Sequence, residues 1–109
     1  MTDKELLKLA AKAAGIKVFK SPDGIFRDCT GFDPMMNIYA AKAWNPLIDD
    51  GDALRLAVQL KMHVLIGNEG IRIKAPNLGF QFGMPIDDAM TSVRQAIVQA
   101  AAEIGKAMQ

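Results

Sequence analysis

The sequence predicts an α+β domain, with a helix at each end of the chain and antiparallel strands between them. Three observations carry this prediction. Residues 2–5 form a capping box, with Thr2 and Glu5 placed to satisfy each other's backbone amides at a helix start. Short alternating apolar runs separated by turn residues occupy the middle. Apolar residues then step by threes and fours through the last twenty-odd positions. With 109 residues and no repeats or linkers, residues 1–109 are predicted to form one domain.

The N-terminal third predicts a helix followed by a hairpin. The helix is expected from about Asp3 to Ala14, and Gly15 suits the left-handed position after its end. The short β-prone run 16–20 and the run 25–29 are joined by Ser21-Pro22-Asp23-Gly24, an order that a four-residue turn favours. These two runs are therefore predicted to pair as a β-hairpin.

The stretch 30–44 has no clean period, and both a short helix opened by Asp33-Pro34 and an irregular apolar loop stay open. Asn45, which precedes a proline, is expected to be extended. A second helix is predicted from about Asp52 to Met62, and its apolar composition suggests that it is covered on most of its surface. Carboxylates gather at its start and are interpreted as helix caps: Asp49, Asp50 and Asp52.

The C-terminal half predicts an antiparallel meander and then the longest helix. Residues 63–67 and 71–74 alternate or are continuously apolar around the turn 68–70, and residues 80–82 alternate again. The helix is expected to open at 85–88, with proline early and acids in the first turn. Its apolar stripe is long for one small domain to cover, so a homodimer through this helix is predicted.

Composition excludes several classes of protein. The formal net charge of +1 gives no reason to expect binding to bulk nucleic acid. Cys29 is the only cysteine, which rules out an intrachain disulfide and a thiolate metal site. Neither a signal peptide nor a membrane-length apolar run is apparent, so a cytoplasmic location in a bacterial cell and no membrane contact are expected.

Catalytic and cofactor motifs are not apparent in the sequence. The acidic run 49–52 does not match a calcium loop, because position one would be Pro46. His63 and Cys29 lie in no nucleophile motif, and neither G-x-G-x-x-G nor a Walker pattern occurs. We therefore expect no enzyme, no catalytic residue, no metal and no cofactor.

Two sets of residues are candidates for binding. The adaptable thioethers and aromatics of the stretch 35–44 can form a partner surface, although filling of the core beneath a loop is the simpler interpretation; they are Met35, Met36, Tyr39 and Trp44. Cations beside an aromatic can bind a small anionic molecule; the candidates are Arg55, Arg72 and Lys74. Together with Lys17 and Lys20, Arg72 and Lys74 are also candidates for a basic face of a sheet. The alternative is that these four side chains simply lie in solvent.

Two blocks resemble a family of small proteins of tailed phages and prophages. One is W-N-P-L-I-D-D-G-D-A-L-R-L-A-V-Q-L over residues 44–60, and the other is R-Q-A-I-V-Q-A-A-A-E-I-G over residues 94–105. The chain is more loosely similar to the NinX-type phage accessory proteins. The resemblance implies a phage or prophage accessory protein in a bacterial cytoplasm, but it brings no activity or catalytic residue. Arg55 and Arg94 are expected to pair with Asp49 or Asp52.

Two functional hypotheses follow. In the first, the protein is not an enzyme and binds a bacterial host protein to redirect or inhibit it, in host takeover or anti-defence. In the second, it binds or sequesters a small molecule, such as a nucleotide signal. A small enzyme is a weaker hypothesis because no acid and base are paired at a suitable spacing. DNA binding is equally weak because no predicted helix carries a basic face in a helix-turn-helix.

Overall fold

The structure, a computed structural model, describes residues 2–30, 41–76, 78, 82–85 and 88–108. Within these ranges the chain is α+β, as the sequence predicts, with three helices and two three-stranded antiparallel sheets. The helices are α1 (Asp3–Ala14), α2 (Asp50–Gln59) and α3 (Ala89–Ala107). The first sheet has the order β1-β2-β3, and the second has the order β4-β5-β6. The strands are β1 (Val18–Lys20), β2 (Phe26–Asp28), β3 (Lys42–Ala43), β4 (His63–Gly67), β5 (Gly70–Lys74) and β6 (Phe82–Met84).

Helix α1 has the predicted bounds and the predicted caps. The Glu5 amide donates to Thr2 Oγ1 at 3.2 Å, which satisfies one of the free amides of the first turn. Gly15 has φ 71°, and the Ile16 amide donates to the Ala11 carbonyl at 2.9 Å. This closing bond matches the Schellman geometry, which a glycine adopts without steric penalty.

The first sheet contains the predicted hairpin and one strand that the sequence did not predict. The turn between β1 and β2 is closed by the Gly24 amide, which donates to the Ser21 carbonyl at 2.8 Å. Strand β3 pairs antiparallel with β2, with Arg27 opposite Ala43. Two residues carry too little periodicity to predict a strand, and β3 is held by its partner rather than by its own composition. The two alternatives for residues 31–40 lie outside the described residues.

Helix α2 begins two residues before the predicted start and ends three before the predicted end. Asp49 caps it, and its carboxylate accepts from the Asp52 amide at 2.8 Å. The expectation that α2 is covered on most of its surface is wrong, because Leu54 and Val58 are 64% and 68% exposed. The helix buries one stripe against the core and leaves these two side chains in solvent.

The second sheet is the predicted meander, with its last strand displaced. Strands β4 and β5 pair from His63 opposite Lys74 to Gly67 opposite Gly70, around a two-residue turn. The third strand begins at Phe82, whereas the alternation predicted residues 80–82. Helix α3 likewise begins at Ala89, later than the acidic residues suggested.

Helix α3 forms the centre of the fold, as it packs against α1, α2, β5 and β6. Its contact with α1 is close: a Cβ added at Gly105 would lie 2.0 Å from the Leu9 carbonyl oxygen. Small residues line this helix pair and let the two backbones approach each other; they include Ala10, Ala11, Ala14, Ala100 and Ala101, all buried. The core is therefore built on the last helix.

The homodimer through α3 was predicted because its apolar stripe looked too long for one domain to cover, and that premise is wrong. Ile97, Ala100 and Ile104 are buried within one chain, so the stripe needs no second copy to cover it. Only its ends carry exposed large apolar side chains among the described residues, at Met90 and Met108. No helix in the described ranges is long and apolar enough to cross a membrane.

Candidate functional site

Three of the predicted partner residues, Met35, Met36 and Tyr39, lie outside the described residues. The fourth, Trp44, is 5% exposed and belongs to the main apolar cluster. Its amide donates to the Phe26 carbonyl at 2.9 Å, which ties the end of β3 to β2. Trp44 is therefore a core residue, and it is not an exposed partner contact.

A cleft of about 280 Å³ opens beside Trp44, between the end of α1, the first sheet and α2. Charged side chains from three elements face it, because Asp28 and Lys42 are cross-strand neighbours and α2 lies opposite them. The polar residues that line it are Asp28, Thr30, Lys42, Asp52, Arg55 and Gln59. Both signs of charge are present, so the cleft has no net preference for an anion or a cation.

The acidic cluster at the start of α2 has a structural explanation for each of its members. Asp49 caps the helix, and Asp50 pairs with Arg94 on α3. Asp52, which is 5% exposed, accepts from the Asn45 amide at 3.0 Å and from Arg55 at 2.7 Å. No group of acidic, histidine or cysteine side chains in the described part of the chain is arranged to hold a metal ion.

Arg55 is therefore not a free cation. Its guanidinium lies 2.7 Å from Asp52 and 3.7 Å from Asp49, so two carboxylates balance its charge. The predicted pairing of Arg55 is confirmed, whereas Arg94 pairs with Asp50 instead of Asp49 or Asp52. Arg94 also donates to the Leu47 carbonyl at 2.9 Å, and so it joins α3 to the segment before α2.

The structure does not bring Arg55, Arg72 and Lys74 together. Arg55 lies on α2, whereas Arg72 and Lys74 are exposed on β5, and the cleft that Arg72 lines is at the β4–β5 turn. The basic sheet face with Lys17 and Lys20 is also wrong, because Lys20 lies on β1 of the other sheet. Similar alternating patterns cannot reveal which strands share a sheet.

The lone histidine and cysteine are also apart. Cys29 is fully buried after β2, where its thiol lies 3.7 Å from the Arg27 carbonyl. His63 is exposed on β4, in the second sheet, opposite Lys74. The two residues form no dyad.

A second groove, between α1 and β1, has one sign of charge. Its volume is about 430 Å³, and its floor is apolar, formed by Ala11, Ile16, Val18, Phe19 and Phe26. Four lysines line it: Lys4, Lys8 and Lys12 from α1, and Lys20 from β1. Among the described residues that line this groove, none is acidic. We call this feature the lysine groove.

The lysines of α1 share one helix face because they are spaced four residues apart. Like charges at this spacing destabilise a helix by roughly 0.2–0.5 kcal/mol per pair. In the described part of the chain none of the four groove lysines has a carboxylate within ion-pair distance. Lys12 instead donates to the Met108 carbonyl at 3.0 Å. An anionic group in the groove would relieve this repulsion.

In the described part of the chain β1 pairs with one strand, β2, and its other edge has no strand partner. The Cys29 amide donates to Lys17 and the Ser21 amide donates to Ile25, which fixes the hydrogen-bonded pairs of the β1–β2 ladder at odd-numbered β1 positions. Antiparallel pairs alternate, so the backbone groups of Val18 and Lys20 point away from β2 toward the open edge. The groove therefore offers cations and an apolar floor, and among the described strands the β1 edge beside it is unpaired.

Sequence reasoning missed the lysine groove. The signal was the four-residue spacing of Lys4, Lys8 and Lys12 along α1. The packing of β1 beside that face cannot be read from spacing. Comparison of the chain with family models, curated proteins and solved structures finds no match.

Proposed function

We propose that the protein is a non-enzymatic accessory protein of a phage or prophage that binds a bacterial host protein and modulates it, in host takeover or anti-defence. The observation that carries the binding role is the lysine groove, with its apolar floor and single sign of charge. The phage setting rests on the resemblance of residues 44–60 and 94–105 alone.

The groove suits a segment of polypeptide that carries both acidic and apolar side chains. Four lysines attract carboxylates, and such complementarity raises the association rate and selects against basic partners. Phe19, 41% exposed, and Val18 give apolar side chains a surface to cover. The free edge of β1 can add backbone hydrogen bonds to an extended segment, as in strand addition.

Affinity capture from a bacterial lysate tests the host-protein role. Tagged wild-type protein is compared with Lys4→Glu/Lys8→Glu, which reverses the charge of one groove wall at exposed positions. The matched control is Lys74→Glu on the second sheet. We expect a stoichiometric host protein with the wild type and with the control, but not with the groove variant. Identical eluates from all three would contradict the proposed site, and an eluate empty of host protein would contradict the role.

Small-molecule binding, the alternative, is favoured by one observation in the same groove. The exposed ring of Phe19 lies among lysines, as a base and its phosphates would require. A ligand that binds only the folded state raises its stability by mass action. Thermal stabilisation by a nucleotide that is lost in Lys4→Glu/Lys8→Glu would establish this alternative, and no stabilisation at saturating nucleotide would exclude it.

A further inference from the structure

The β4 edge of the second sheet differs from the β1 edge, because β4 carries no lysine, arginine, aspartate or glutamate. Strand β4 has a single described neighbour, β5, and its sequence is His-Val-Leu-Ile-Gly. Leu65 and Ile66 are 57% and 60% exposed. Monomeric proteins usually protect such edges with lysine, proline or a bulge, because a flat apolar edge pairs with other strands.

The core-facing side of the sheet continues onto β4, where Val64 is partly buried against the core and Ile66 is 60% exposed. Cross-strand partners share a face, so Val64 and Ile66 lie on the same side as Ile73 and Ile71. The two β5 residues are 0% and 1% exposed, since α3 packs over β5 and β6. Ile66 lies on the same face but is largely exposed to solvent. The buried apolar face of the sheet therefore ends in an exposed isoleucine at the β4 edge.

The direction of the backbone groups defines how this edge can pair. In a two-residue hairpin the closing pair, Gly67 with Gly70, is hydrogen-bonded, and such pairs alternate along the ladder. The pairs at Val64 and Ile66 are then of the other type, and their amides and carbonyls point outward. Any partner strand must meet these two residues.

We infer that β4 pairs antiparallel with β4 of a second copy of this chain, about a two-fold axis at Leu65. This register places Val64 opposite Ile66 of the second copy, so the outward backbone groups of each meet those of the other. It joins the two second sheets into one continuous sheet. This inference is independent of the lysine groove.

The same register matches apolar side chains and brings no like charges together. Leu65 meets its own copy on the outer face, and Ile66 gains Val64 of the second copy as a neighbour on the core face. No pair of like charges is created along β4, because the strand carries no lysine, arginine, aspartate or glutamate.

Disulfide trapping tests this register directly. Residues opposite each other in a non-hydrogen-bonded pair have Cα atoms about 4.5 Å apart, which a disulfide can span. Leu65→Cys is therefore expected to form a covalent dimer under mild oxidation, and the natural Cys29 is buried and does not compete. The matched control is Arg72→Cys, on the same face but one strand further from the axis, which we expect to remain monomeric on a non-reducing gel.

The mass of the wild-type protein in solution completes the test. Sedimentation at micromolar concentration is expected to give a dimer. A monomeric mass throughout that range would overturn the inference. So would a dimer in which Leu65→Cys crosslinks no faster than Arg72→Cys, because the interface would then lie elsewhere on the chain.

Discussion

The β1 and β4 edges, one from each sheet, have opposite surroundings although both are short antiparallel edge strands. Strand β1 ends in Lys20 and lies beside the lysines of α1, whereas β4 has an uncharged, apolar sequence. Two copies of β1 brought together would place their lysines close to each other, which opposes self-pairing. Two copies of β4 would bury exposed leucine and isoleucine. Side-chain charge therefore decides whether an open edge suits a different, acidic partner or a second copy of the same chain.

Substitution of Gly105 by alanine should have the largest effect on the stability of the fold, because it forces apart α3 and α1, the helix that forms the groove wall. The added Cβ would lie 2.0 Å from the Leu9 carbonyl oxygen on α1. Overpacking typically costs about 1–3 kcal/mol and occasionally more, and so short a clash with backbone belongs at the upper end, so it outweighs the gain of about 1 kcal/mol that alanine normally brings to a helix. Urea unfolding should show a net loss of stability.

The control is Gly67→Ala, where an added Cβ meets no atom within 4 Å. It should leave the free energy of unfolding nearly unchanged. Equal effects of the two substitutions would mean that α1 and α3 do not pack this closely.

A lysine introduced on β4 should make this edge resist self-pairing, as the β1 edge does. In Leu65→Lys two cations meet at the proposed two-fold axis, and the apolar contact there is lost. We expect the dimer dissociation constant to rise by about a hundredfold or more, equivalent to about 3 kcal/mol. Sedimentation equilibrium measures it.

The control for this substitution is Leu54→Lys, at a similarly exposed apolar position on α2. It should leave the dimer intact. Dissociation by both substitutions would indicate a general loss of solubility or fold, and dissociation by Leu54→Lys alone would place the interface on α2.

Added salt should weaken binding at the lysine groove more than self-association through β4. Screening shortens the Debye length from about 10 Å at 0.1 M to about 3 Å at 1 M, so contacts between lysines and carboxylates weaken. Binding of the captured host segment, or of an acidic and apolar test peptide, is expected to fall by about tenfold over this range. Self-association through β4 depends mainly on apolar and backbone contacts and should change little. Fluorescence anisotropy and sedimentation at matched salt check both, and equal losses would contradict the assignment of charge to one edge.

The smallest effect is expected at the β1–β2 turn. Hydrogen bonds from the Ser21 hydroxyl and the Ile25 amide, with Arg27 nearby, lower the pKa of Asp23 below its ordinary value near 3.8. A carboxyl whose pKa is lower in the folded state stabilises the fold above its unfolded pKa, and this contribution is lost as pH falls through the folded pKa. Asp23→Asn should therefore lower the melting temperature slightly at neutral pH.

The difference between Asp23→Asn and the wild type should shrink in acid, below the ordinary pKa of an aspartate. Thermal melts from neutral to acidic pH measure this. A difference that stays constant with pH would show that the charge of Asp23 makes no contribution. In the described part of the chain the turn between β4 and β5 has no such carboxylate network, so the β1 hairpin should be the more acid-sensitive of the two.

Local signals in the sequence were sufficient for the elements that are closed by neighbouring residues. Thr2, Glu5 and Gly15 define both ends of α1 because caps act over three or four residues. The turn at 68–69 and the alternation around it define β4 and β5 in the same way. Strand β3 and the start of α3 were not predicted correctly, because the first depends on β2 and the second begins after a displaced strand.

The candidate sites were predicted less well than the fold. Trp44 and Arg55 were singled out for their chemistry, but one is buried in the core and the other is neutralised by Asp49 and Asp52. The partner-binding role of Met35, Met36 and Tyr39 stays a prediction. The residues of the lysine groove are ordinary in composition, and they become a site only where α1 and β1 meet.

The sequence by itself determined the α+β class, the bounds of α1 and the β4–β5 hairpin, because periodicity and capping are local properties of the chain. Tertiary structure alone decided which strands share a sheet, which apolar stripe is covered and which cations lie together. These depend on contacts between residues far apart in the chain, such as Leu9 with Gly105 and Leu47 with Arg94. Both proposed binding surfaces are of this second kind: α1 comes to lie beside one sheet edge, and α3 leaves the other uncovered.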